Sequence, residues 1–161
     1  MKNIVIIFMA LLMINCSKEK KEIDYNNLLE KHISDPEIQN LFEVLGDDYK
    51  YVEAYDMHFY NFENKGVELN FNDKDTLRII YIKKDSIKIP FDLKISHTIQ
   101  QVEDKIGKPD KYLVRSSNLI GFYIDKDLVV RYKESDSLKM ENPVKRISID
   151  KLDRKTILDL K

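Results

Sequence analysis

The stretch ISHTIQQVEDKIGKPDKY, residues 95–112, decides the reading of the fold. Ile99, Val102 and Ile106 recur at the spacing of one helix face, with polar residues between them. Ser96 is placed to cap the free amides at the start of that helix. Gly107 is placed to end it, and Pro109 prevents it from resuming.

Residues 61 positions apart match this segment and its surroundings in kind. Asp35-Pro36-Glu37-Ile38-Gln39-Asn40-Leu41 lies over Ser96-His97-Thr98-Ile99-Gln100-Gln101-Val102, and Leu45-Gly46 over Ile106-Gly107. Further along, Phe62 lies over Tyr123, and Val67, Leu69 and Phe71 over Leu128, Val130 and Tyr132. Asp75-Thr76-Leu77 lies over Asp136-Ser137-Leu138. In the earlier copy Ile38, Leu41, Phe42 and Leu45 form the helix stripe, Asp35 is the cap, Pro36 suits the first turn and Gly46 the stop.

Strands follow each helix. Val67, Leu69 and Phe71 alternate with Glu68 and Asn70, and Leu128, Val130 and Tyr132 alternate with Val129 and Arg131. The last strand of each copy is Arg78-Ile79-Ile80-Tyr81-Ile82 and Lys145-Arg146-Ile147-Ser148-Ile149, the second reached after an insertion around Lys139 to Pro143. Asn64-Lys65-Gly66 and Asp125-Lys126-Asp127 are the turns. The expected fold is therefore α+β: a tandem duplicated helix plus three-stranded antiparallel meander, packed as one body. A unit of about sixty residues has a marginal core alone, which favours joining the two.

The start of the chain has a different character. Lys2 precedes an uncharged run from Ile4 to Ile14, and Asn15-Cys16 closes it. A basic start, an apolar run of about 7–15 residues and a processing site make a secretory signal that is too short to stay in a bilayer as a spanning helix. Residues 1–15 read as a signal peptide and 16–23 as a lipidated cysteine with a charged, flexible tether. Residues 24–95 read as a leading helix and the first unit, and 96–161 as the second unit with a C-terminal tail. Cys16 is the single cysteine, so no intramolecular disulfide forms and apolar burial alone holds the fold. The sequence MINC resembles a lipobox, whose cysteine carries the acyl chains. The place implied is the cell envelope, on the periplasmic or surface side of a bacterial membrane.

The helix ending in G-x-P and the meander after it resemble the BamE-like family, the small lipoprotein of the outer-membrane β-barrel assembly machine. Two such units in tandem look like the β-lactamase inhibitory protein family. The likeness covers roughly residues 35–150 and rests on the helix stripe, the glycine stop and the strand order. What it implies is a binding module: such proteins use a sheet face or loops to hold another protein.

Several chemistries find no pattern in the chain. With 27 basic and 28 acidic residues there is no field to attract nucleic acid. His32, His58 and His97 stand in separate elements without ligand spacing, so no metal is expected. Asp47-Asp48, Asp73-x-Asp75 and Glu134-x-Asp136 fall where turns are expected, and short acidic side chains bond the local backbone there. Four glycines are too few for a phosphate-cradling loop. No cofactor is implied, and the chain reads as a non-enzyme.

The aromatic residues Tyr49, Tyr51, Tyr55, Phe59, Tyr60, Phe62 and Tyr81 crowd the first unit, most of them as core. The polar phase of the strands puts Glu68, Asn70, Tyr81, Arg131, Arg146 and Ser148 on one open sheet surface, and Tyr and Arg are enriched at binding hot spots. That face is the candidate protein interface. The readings it leaves are an inhibitor or toxin-immunity protein, an accessory lipoprotein of envelope assembly, and, from a different class, a hydrolase or ligand-binding lipoprotein.

Overall fold

The computed structural model describes residues 23–133 and 140–160. The expected signal peptide, Cys16, residues 16–22 of the tether, Glu134-x-Asp136 and Asp136-Ser137-Leu138 lie outside the described residues.

Among the described residues, eight strands form a single antiparallel sheet. They are β1 (Lys50–Ala54), β2 (Met57–Phe62), β3 (Val67–Asn72), β4 (Leu77–Ile82), β5 (Lys111–Arg115), β6 (Asn118–Tyr123), β7 (Leu128–Tyr132) and β8 (Val144–Asp150). Their order across the sheet is β1-β2-β3-β4-β8-β7-β6-β5. Helices α1 (Pro36–Leu45), α2 (Ile99–Ile106) and α3 (Arg154–Asp159) are short. The expected α+β body of two helix-plus-three-strand units is thereby overturned. The protein is mostly β, and its strands are shared in one continuous sheet.

The miscount has a local cause. In each half an additional strand, β1 or β5, folds back on its neighbour through a two-residue turn whose central residues both have positive φ. The turns are Tyr55-Asp56 (φ 54 and 56) and Ser116-Ser117 (φ 49 and 61). Positive φ at both positions is the hairpin geometry that normally selects Asn-Gly or Asp-Gly, so neither turn announces itself in composition. Both strands lie at the sheet's edges, and β1 is exposed at four of its five residues.

The helix stops match the sequence reading, whereas the caps do not. Gly46 (φ 88, ψ 179) and Gly107 (φ 83, ψ −178) adopt a conformation open in practice to glycine alone. Their amides close the helices by donating to Phe42 and Glu103 carbonyls at 2.7 and 2.8 Å. Asp35 makes no side-chain cap to α1 and instead accepts from the His32 amide at 3.1 Å. Helix α2 starts after Thr98, two residues beyond the expected Ser96. The Thr98 hydroxyl accepts from the Gln101 amide while the Gln101 side chain accepts from the Thr98 amide, a full capping box. The segment expected as a leading helix is instead a 3-10 turn, Asn26–Leu28, with Tyr25, Leu28 and Leu29 buried.

One face of the sheet carries the main core. Val67, Leu69 and Phe71 of β3 and Leu128, Val130 and Tyr132 of β7 are at most 1% exposed. They pack in one apolar cluster with Ile38 and Leu41 of α1 and Ile99 and Val102 of α2. Each fully buried aliphatic or Phe side chain contributes about 1.5–3 kcal/mol. Of the seven aromatic residues expected mostly as core, only Phe62 is buried, and Phe59 and Tyr81 fall on the opposite face. At the β1 end of the core face the Phe42 ring meets Tyr49, Tyr60 and Phe62 with centroids 5.9, 5.2 and 5.6 Å away. Tyr55 sits apart on its turn, 95% exposed. On the opposite face α3 covers only the β5–β7 end, where Ile157 packs with Ile120, Phe122 and Ile124.

Burial predicts unequal costs for two substitutions of similar chemistry. Leu69→Ala, in the core, should lower unfolding free energy by about 2–5 kcal/mol. Val114→Ala, on edge strand β5 and 66% exposed, should change it by under about 0.5 kcal/mol. Chemical denaturation of the two variants against the parent measures both.

Candidate functional site

Residues on the sheet face away from α1 and α2 follow from register. Glu68 opposes Tyr81, Tyr81 opposes Ser148 and Ser148 opposes Val129, which makes one row across β3, β4, β8 and β7. In the next row Arg146 opposes Arg131, Arg131 opposes Ile120 and Ile120 opposes Leu113. Asn70, one pleat along from Glu68, opposes Phe59 and Ile79. Glu68, Asn70, Tyr81, Arg131, Arg146 and Ser148 therefore share one face.

Their environments differ. The Arg146 guanidinium carbon lies 4.0 Å from the centre of the Tyr81 ring, a cation–π stack worth about 0.5–2 kcal/mol. Arg131 stands directly across from Arg146, and like charges so placed destabilise a sheet. Among the described residues no carboxylate lies within 4.0 Å of either guanidinium, and the buried Nε of Arg146 meets no acceptor. Glu68 has its own partner, the Lys83 ammonium at 2.7 Å. The Asn70 side chain is buried at 4% exposure, and its amide nitrogen, turned to donate, lies 3.2 Å from Glu68 Oε1.

A depression of about 220 Å³ opens over this region. Tyr81, Arg131, Arg146 and Ser148 line it together with Arg115 of β5, Asp150 at the end of β8 and apolar side chains that include Leu160. Sequence reading missed Arg115 because β5 was missed. It also missed Asp150, which lies one residue past the segment read as the last strand. Helix α3 reaches the rim because Lys111 Nζ donates to the carbonyls of Leu158, at 2.7 Å, and Leu160.

Burial governs ionisation here. It pushes the Tyr81 phenol up against the opposing pull of Arg146, and it pulls the Arg146 guanidinium down, with Arg131 adding to the effect. It raises the Asp150 carboxyl above its ordinary 3.8 while Arg78 opposes the shift.

The histidines lie elsewhere and apart. His32 Nδ1 is 2.8 Å from the Ser34 hydroxyl, and His97 Nδ1 accepts from the Lys94 amide at 3.2 Å. His58, on the helix-covered face of β2, pairs with Asp75 at 2.7 Å, a contact the sequence did not suggest. Among the described residues no group of three His, Cys, Asp or Glu side chains is placed to hold a metal. No helix among them is long and apolar enough to cross a membrane.

Comparison with known proteins adds a likeness of fold. No protein-family model matches the chain, and no curated protein matches it. The structure is similar to the crystal structure of the uncharacterized protein yfeY from Escherichia coli, at 11% identity. The similarity covers 70% of this chain and 86% of that one, with a TM-score of 0.51. An extracellular protein containing a SCP domain from Bacillus anthracis str. Ames aligns at 15% identity over 82% of this chain and 46% of its own, with a TM-score of 0.45.

The raised Asp150 pKa has a signed consequence. Above that pKa the carboxylate is charged in folded and unfolded chains alike, and the folded state bears its desolvation. Asp150→Asn should therefore raise the thermal midpoint at pH 7. The advantage should fade as pH falls through the raised pKa to below 3.8, where the parent's carboxyl is neutral in both states. Thermal melts of the two proteins between pH 7 and 3 measure the difference.

Proposed function

We propose that the protein is a lipid-anchored, non-catalytic binding module of the bacterial cell envelope, and that the open sheet face around Tyr81, Arg131 and Arg146 holds another protein. The observation that carries this reading is the pair of facing guanidiniums, one stacked on a tyrosine ring, with no described carboxylate within ion-pair distance of either. A fold gains nothing from like charges set opposite each other on a half-buried surface. A partner that supplies the missing charge recovers the cost on binding. Tyr and Arg also bring large contact area with few rotors to freeze, as hot-spot residues do.

The start of the chain supports the location. Lys2, the uncharged run to Ile14 and Cys16 make a lipoprotein-type signal, and the charged residues after Cys16 suit a solvated tether. A diacylated or triacylated cysteine anchors stably, since each buried methylene contributes about 0.8 kcal/mol and more than one chain is present. The partner class that fits is a secreted or contact-delivered toxin or enzyme that the module neutralises, in the manner of an immunity protein or inhibitor.

Affinity capture from envelope membranes tests both halves. The doubly substituted Arg131→Glu, Tyr81→Ala protein should keep its circular dichroism and lose its captured partner at least tenfold; unchanged capture removes the open-face reading. Cys16→Ala should move the protein out of the membrane fraction, and full retention there contradicts the anchor.

A further inference from the structure

We propose that the corner of the open face between Arg146, Arg131 and Arg115 is a carboxylate site, filled by an aspartate or glutamate side chain of the protein partner. The proposal rests on the reading of this face as a binding surface and names the chemistry it recognises.

Charge complementarity supplies the first argument. Three guanidiniums line the depression, and Asp150 is the one carboxylate among the described residues lining it. Asp150 lies four residues along β8 from Arg146, so about 13 Å away at a strand's rise per residue. The charge that most opposes its raised pKa is Arg78, outside the depression. Glu68 is engaged by Lys83. Among the described residues, then, no carboxylate forms an ion pair with these arginines, and Glu68, whose charge acts on Arg146, is shared with Lys83.

Geometry supplies the second. A guanidinium presents a planar fork of donors that matches the two oxygens of a carboxylate, and such charge-assisted pairs are stronger than neutral ones. The Tyr81 ring, 4.0 Å from the Arg146 guanidinium carbon, holds that fork in place before a ligand arrives. Antiparallel pairing sets Arg131 directly opposite, so both forks address one small volume.

Size and rim supply the third. At about 220 Å³ the depression falls below the roughly 300–1,000 Å³ of pockets that take drug-sized ligands. It suits a single side chain. Leu113, Ile120 and Leu160 on its border offer apolar contact for the methylenes that precede a glutamate carboxylate.

Fluorescence anisotropy of labelled hexaglutamate, with labelled hexaglutamine as control, tests the site on protein expressed from the full chain and purified in detergent. Hexaglutamate should bind at least tenfold more tightly than hexaglutamine and weaken as salt is raised. Arg131→Gln and Arg146→Gln should each loosen it about tenfold, and Arg131→Lys should restore only part of the loss, since an ammonium lacks the fork. Equal binding of the two peptides, unchanged affinity in Arg131→Gln, or inorganic phosphate displacing hexaglutamate at equal concentration overturns the proposal. If Arg146→Gln fails to fold, the peptide ratio on the parent protein and Arg131→Gln decide. Hexaglutamate binding together with unchanged envelope capture by the Arg131→Glu, Tyr81→Ala protein would sink the protein-binding reading and leave the carboxylate site standing. Lost capture without hexaglutamate binding would do the reverse.

Discussion

The backbone pairing of β4 with β8 is the contact on which the rest of the molecule depends. Ile80 opposes Ile149 and Ile82 opposes Ile147 across it, and these four side chains, all fully buried, merge the apolar layers under α1 and α2 into one cluster. Without that pairing, β4 and β8 would each be an edge strand with a row of unpaired amides and carbonyls, a liability that proteins normally cover. The same pairing aligns Tyr81 with Ser148 on the other face and so brings Arg146 over the Tyr81 ring. Core and candidate site are two sides of a single seam.

Much of the fold could be read from alternation and helix stripes. The period-two pattern of Val67, Leu69 and Phe71, and of Leu128, Val130 and Tyr132, marks β3 and β7 because each buries one face fully. Gly46 and Gly107 mark the helix ends because only glycine takes their backbone conformation at little cost. The edge strands escaped. Lys50–Ala54 is exposed along most of its length, so its side chains obey no strong alternation, and the Tyr55-Asp56 and Ser116-Ser117 turns lack the glycine that usually signals such hairpins. Ser96 looked like a cap by composition, but the reciprocal bonds of Thr98 and Gln101 won the position.

The candidate site was legible as a face and illegible as a place. Strand period alone puts Glu68 and Asn70 opposite the core phase of β3, Arg131 opposite that of β7, and Tyr81 between Ile80 and Ile82. Which strand neighbours which is a long-range matter that local pattern does not carry. The sequence therefore gives no sign that Arg146 stacks on Tyr81, that Arg131 opposes Arg146, or that Leu160 beyond α3 borders the same depression. Cys16, the residue that speaks for location, lies outside the described residues and stands on sequence alone.

Native-state hydrogen exchange of the seam amides tests the dependence most directly. If β4–β8 pairing unites the molecule, the amides that bond across it should exchange only through global unfolding, with the same free energy as those of β3 and β7. A seam that opens at distinctly lower free energy, while β3 and β7 stay protected, would contradict the account.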